Sequence, residues 1–316
     1  MDLFITTFES VIVLIGIGII GFWIIQRKII PGNVIGLLSP LALEIALPSL
    51  IFINIVSDFS PKDMPNWWQL PLWWCFFTVI AAALTFVLRF LSDKKHRSEF
   101  GITLFYQNGI FFPLAIISGM FPDKPEYLLH LFFFTLFFPA FFFSTYRFFF
   151  KTDKKIKIDL RKIIHPVLIA TIIAILLVLI GVQNKIPSPV IRIFILLGGM
   201  TIPLIMIILG GNIYVDFKKK GKIEYLEIIK FVIAKNIVFP LVFLVLLFGL
   251  KPSLTYPVAL IIILQSAVPP VTAVPLVTER VGGNRAIVNQ FIVGSFISSL
   301  VSIPAMIYLF ELYFTI

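Results

Sequence analysis

Long, nearly charge-free apolar runs divided by short polar punctuation make up most of the chain. Several exceed the ~18 residues a helix needs to cross hydrocarbon. Read this way, the sequence predicts ten membrane spans, at 4–25, 34–57, 67–89, 99–119, 127–149, 163–181, 190–213, 227–249, 254–277 and 286–312. The first run, MDLFITTFESVIVLIGIGIIGFW, lacks a basic leading region, carries Asp2 and Glu9, and shows no small-residue cleavage site. It reads as a retained span rather than a signal peptide.

The polar punctuation tests the count. Cytoplasmic connections gather Lys and Arg. Here the odd-numbered connections hold most of the 26, including Arg27 and Lys28, the group from Arg89 to Arg97, the run from Arg147 to Lys162, the four of Lys218 to Lys222, and Arg280 with Arg285. The even connections hold few, and a miscounted span would destroy the alternation. It sets the odd connections in the cytoplasm and both termini outside the cell membrane.

Composition agrees: 59% hydrophobic and 13% charged residues over 316 positions exclude a soluble globular domain. The net charge of +10 follows from loops facing anionic lipid headgroups, and no nucleic-acid motif competes with that reading. Trp67, Trp68, Trp73 and Trp74 cluster where an outer aromatic belt is expected. Cys75 is the single cysteine, which excludes an internal disulfide or a paired-cysteine metal or redox site, and it reads as a small apolar helix residue. His96, His130 and His165 are scattered, with no HExxH and no paired intramembrane Asp motif. A membrane-embedded enzyme is therefore disfavoured, and no cofactor or metal is implied.

The basic run Lys151 to Lys162 divides the chain into two halves of five spans. Because five is odd, the second half must enter from the opposite side, giving an inverted repeat. The expected organisation is residues 1–150 as the first repeat, 151–162 as a cytoplasmic loop and 163–316 as the inverted second repeat. The halves echo each other. The second span carries ALPSLIFINIVSDF (Ala46 to Phe59) and the seventh TIPLIMIILGGNIYVDF (Thr201 to Phe217), each with a mid-span proline, an Asn and a closing Asp-Phe. The fourth carries Gln107-Asn108-Gly109 with Pro113 a few residues on; the ninth carries Gln265-Ser266-Ala267 followed by Pro269, Pro270 and Pro275.

A proline inside a helix removes a donor and clashes with the preceding turn. In hydrocarbon the freed backbone groups must face protein or a wet cavity. One such break reads as a packing kink; a matched pair in inverted repeats points to a transporter's binding site. The half-helix amino ends would attract an anion, dressed by Gln107, Asn108, Gln265, Ser266 and Thr272.

At these residues the chain resembles a known family. SAVPPVTAVPLVTERVGGN (Ser266 to Asn284) is similar to the signature of the auxin efflux carrier family in its bacterial or archaeal form, and LLSPLALEIALPSLIFINI (Leu37 to Ile55) resembles its second span, with Pro48 followed by Phe52. The resemblance covers essentially the whole chain. It implies an all-α polytopic membrane protein of ten helices in two inverted five-helix repeats, with crossing breaks in spans 4 and 9 as in bile-acid symporters. It also implies elevator-type secondary transport, as an exporter, of small organic anions such as carboxylates. Spans 1, 2, 6 and 7 would form a scaffold, and a homodimer could form through it; spans 3–5 and 8–10 would form the moving domain. Residue by residue, the fourth-span cluster falls on Gln107, Asn108 and Gly109 with its proline at Pro113, and the ninth-span break falls on Ser266 to Pro270, including Pro269. The long cytoplasmic loop of plant members is absent, which argues against a plant-type regulated auxin exporter.

Intramembrane charges are costly and merit attention. Glu44 lies ~15 Å into its span at 1.5 Å per residue and reads as a protonated interface carboxyl or, alternatively, a proton-coupling site. Lys235 reads as snorkelling to the interface, with a substrate counter-charge as the alternative. Asp58 and Asp216 read as caps or interfacial residues. The 35 phenylalanines read as lipid-facing or packing residues, with an aromatic pocket as the alternative. A sodium-coupled organic-anion symporter of the bile-acid type shares the architecture, but would need cation ligands beside both breaks.

Overall fold

In the computed structural model the described residues are 2–150, 165–218, 223–250 and 254–314. Among them every regular element is helical. Seven stretches are long and apolar enough to cross a membrane: Ile5–Gln26, Ile35–Asp58, Trp67–Leu91, Glu126–Phe149, Ser188–Val215, Tyr225–Leu250 and Arg285–Phe314. Three further apolar helices, Phe111–Met120, Pro166–Leu179 and Tyr256–Ala267, are shorter. They fall in the fourth, sixth and ninth expected spans. In the fourth and ninth the shortness has a direct cause, because each helix stops and restarts. The basic run Lys151 to Lys162 lies outside the described residues, as does the side chain of Asp216.

The first half of the chain builds α1 (Asp2–Gln26), α2 (Ile35–Pro40), α3 (Leu47–Asp58), α4 (Leu70–Leu88), α5 (Arg97–Phe105), α6 (Phe111–Met120), α7 (Glu126–Phe134) and α8 (Phe138–Thr145). The second builds α9 (Pro166–Leu179), α10 (Ser188–Gly199), α11 (Thr201–Lys218), α12 (Tyr225–Val232), α13 (Phe239–Leu250), α14 (Tyr256–Ala267), α15 (Val274–Arg280) and α16 (Arg285–Phe314). A π-helical turn, Leu41–Ala46, joins α2 to α3, and a second, Ile233–Val238, joins α12 to α13. Neither is foreseen from the sequence. Such turns insert one residue into a helix and re-aim the side chains around it.

Two packing groups result. α1 runs along α11, α2 also meets α11, and α3 packs on α9 and α10. The α1–α11 contact is intimate because glycines line it: a Cβ at Gly210 would overlap the Gly18 carbonyl, so no other residue allows this backbone approach. In the other group α4 packs on α5 and α7, α14 on α13 and α16, and α16 also on α5, α12 and α15. The groups meet where α1 touches α6 and α16 and where α3 touches α7. Aromatic rings fill the second group. Phe77 stacks on Phe243 at 4.5 Å and Phe231 on Phe291 at 4.7 Å, and Phe132, Phe133 and Phe134 are buried. Most of these phenylalanines therefore pack helices, while Phe148 lies exposed.

Candidate functional site

The two helix breaks lie against each other. α5 ends at Phe105 because Tyr106 turns extended (φ −93°, ψ 93°), and α14 ends at Ala267 because Pro269 holds Val268 extended (φ −69°, ψ 149°). Extended backbone inside a membrane protein must find partners, and these two segments supply them to each other. Gln107 and Pro270 face one another in an isolated antiparallel bridge. The Asn108 amide donates to the Pro269 carbonyl at 2.8 Å, and the Val271 amide to the Tyr106 carbonyl at 2.9 Å.

The prolines create a second need. In a continuous helix the carbonyl of residue i accepts from the amide of i+4. Pro113 therefore has no amide for Gly109, nor do Pro269 and Pro270 for Gln265 and Ser266. Two side chains fill in. Gln265 Nε2 donates to the Gly109 carbonyl at 2.5 Å, and Lys235 Nζ donates to the Ser266 carbonyl at 3.0 Å. Gly109 admits the Gln265 amide only because it lacks a Cβ. Gln107, Asn108, Gln265 and Ser266 are all buried. The side-chain oxygens of Gln107 and Gln265 have no partner.

A cavity of about 290 Å³ opens beside the breaks. One wall is made by Asn108, Phe111, Thr272, Ala273, Leu276, Val277 and Arg280, with Phe143 of α8. The facing wall is made by Ser39, Ala42 and Leu43 of the second span and by Ile205, Ile208, Leu209 and Asn212 of α11. The cavity thus sits on the seam between the two packing groups. Its surface is mainly apolar, with a few polar groups set into it, as small-molecule sites are. Among the described residues Arg280 has no ion pair, and the Asn108 amide group, though its residue is only 3% exposed, makes no side-chain hydrogen bond.

Of the residues expected at a site, Asn108 and Thr272 line this cavity. Gln107 faces a separate small space with Trp74, Thr78 and Phe138. Gly109, Pro113, Gln265, Ser266, Pro269 and Pro270 build the breaks without lining the cavity. Glu44 points outward from its π-helical turn, although Ala42 and Leu43 beside it line the cavity; its electrostatic neighbour is His165. Lys235 does not snorkel: it is 0% exposed. Ser39, Phe111, Phe143, Asn212 and Arg280 were not anticipated. Asn212 was visible only as one half of an Asn echo, and Arg280 only as a cytoplasmic loop charge.

A family model described as membrane transport protein, the auxin efflux carrier type, matches residues 6–160 and 152–307. The chain belongs to this family. It is therefore an integral membrane protein and a secondary transporter, of a kind whose members are not enzymes. Among curated proteins no match to the chain is found.

Proposed function

We propose that this transporter carries small organic anions such as carboxylates, as an exporter in the cell membrane, by elevator-type alternating access. In this reading the chain spans the membrane ten times in two inverted repeats, 1–150 and 163–316, joined by the cytoplasmic loop 151–162, with both termini outside. Spans 1, 2, 6 and 7 form the fixed scaffold, and a homodimer through that scaffold is compatible with it. Spans 3–5 and 8–10 move, carrying the crossed breaks of spans 4 and 9. The observation that supports this most is the position of the cavity. One wall comes from each packing group, so sliding one group along the other would carry the contents of the cavity across.

Anion preference follows from chemistry on the moving wall. Arg280 supplies a cation that makes no ion pair among the described residues. Asn108 and Thr272 supply neutral polar groups that can orient a carboxylate, and the first amides of α6 precede its hydrogen-bonded ladder. The apolar walls suit an anion with an apolar body.

The test is binding and flux of labelled organic acids in proteoliposomes. Losing a hydrogen bond to a charged group costs about 1.5–3 kcal/mol, so Asn108→Ala should weaken anion binding by roughly one to two orders of magnitude. Normal affinity in that variant would move the site elsewhere. A flux that collapses when choline replaces sodium would favour a sodium-coupled symporter instead.

A further inference from the structure

Lys235 is a buried charge that the cavity does not use. It sits in the π-helical turn Ile233–Val238, fully buried, and is absent from the cavity walls. The extra residue of that turn shifts the helical register and lets an ammonium from the eighth span reach the break in the ninth. Nζ donates to the Ser266 carbonyl at 3.0 Å and lies 4.7 Å from the centre of the Phe239 ring. Among the described residues no carboxylate comes within ion-pairing distance of it.

A buried ammonium without a counter-charge is costly unless fixed dipoles compensate it. The compensation here is the carboxyl end of α14, a twelve-residue helix whose last carbonyls carry partial negative charge. Pro269 and Pro270 strip two of those carbonyls of their backbone donors, and the Val268 amide is already given to Leu264. The Ser266 carbonyl is one of the two left without a backbone donor, at the partly negative end of the helix, and it calls for a cation. A hard monovalent ion would satisfy it; so does an ammonium on a four-carbon stem.

We propose that Lys235 is a tethered cation, standing where a bound monovalent metal ion would otherwise be needed to hold the carboxyl end of α14 at the break. Lys235 is then a positioning residue, and the break is complete without an ion from solution. The proposal goes beyond the carrier reading above. Its test needs no flux, so the two fail separately.

The test uses the purified full chain in detergent, with thermal unfolding followed in NaCl, LiCl, KCl or choline chloride at matched ionic strength. Lys235→Ala vacates the ammonium's space and should gain a saturable, sodium-selective rise in melting temperature of roughly 2–4 °C. Wild type and Lys235→Met, whose side chain fills the same space without charge, should move by less than about 1 °C under the same exchange. A purely structural lysine would give no cation selectivity in any variant. The proposal is overturned if the Ala variant is indifferent to the cation, if wild type itself gains a saturable sodium response, or if Ala and Met respond alike. It is also overturned if the Ala variant folds in none of the four salts, since sodium should then restore it.

Discussion

The two breaks solve one backbone problem with different chemistry. In each, a proline leaves a carbonyl without its i+4 amide, and a side chain from another span supplies the missing donor. At Gly109 the donor is the neutral amide of Gln265; at Ser266 it is the ammonium of Lys235. The first arrangement is steric: it needs a glycine, because a Cβ at 109 would collide with the Gln265 side chain. The second is electrostatic: it places a charge at a helix end and leaves Ala267, the counterpart of Gly109, free to keep its methyl. Echoing triplets in the two halves therefore do not imply equivalent sites, and substitutions should expose the difference.

The largest effect on stability is expected at Gly109. Gly109→Ala drives a methyl into the Gln265 amide, which cannot retreat without surrendering its bond to the Gly109 carbonyl. Overpacking of this kind costs about 1–3 kcal/mol, and here the lost bond adds to it. Thermal or denaturant unfolding of the purified variant should show a clear drop. A melting curve superimposable on wild type would mean that the contact is loose and the steric half of the comparison wrong.

How much of this was legible in the sequence differs by level. Segment type was plain, since long charge-free runs can hardly be anything but membrane helices. The prolines and their Gln-polar-small neighbours marked the places where α5 and α14 stop. The donors that replace the missing amides were not legible, because they come from residues far apart in sequence: Gln265 reaches Gly109 over 156 positions, and Lys235 reaches Ser266 over 31. Lys235 was also misread as snorkelling. Snorkelling is what a lysine toward one end of a regular span predicts, and the π-helical turn that redirects it leaves no mark in composition or period. Arg280 was hidden for the opposite reason. As a loop charge Arg280 fits the topology, and nothing in the sequence shows that α15 brings it to the cavity wall.

A middle-sized effect is expected from Gln265→Met, which keeps the volume of the side chain and removes its amide. The Gly109 carbonyl then stays buried without a donor, which costs about 1–3 kcal/mol. The Gln265 oxygen is itself unpaired in the wild type, and its removal returns part of that, so the net should fall near the lower end. Unfolding measurements on Gln265→Met beside Gly109→Ala also test the coupling: the double variant should lose clearly less than the sum, because both act on one contact. Strict additivity would show that the two residues do not depend on each other.

The smallest effect is expected at Ser266, and it separates the two breaks most cleanly. Lys235 binds the backbone carbonyl there, while the Ser266 hydroxyl turns back to the Ile263 carbonyl at 2.7 Å within its own helix. Neither group lines the cavity. Ser266→Ala therefore removes a local bond that a helix interior does not need, with a stability change expected within about 0.5 kcal/mol. Binding of the same labelled acids should stay within about twofold of wild type, against the one to two orders of magnitude expected for Asn108→Ala. Asn108 and Ser266 hold the same place in the two triplets, so the pair forms a direct contrast. If Ser266→Ala weakened binding as much as Asn108→Ala, the anion would have to reach behind the second break, and the two breaks would share one site symmetrically after all.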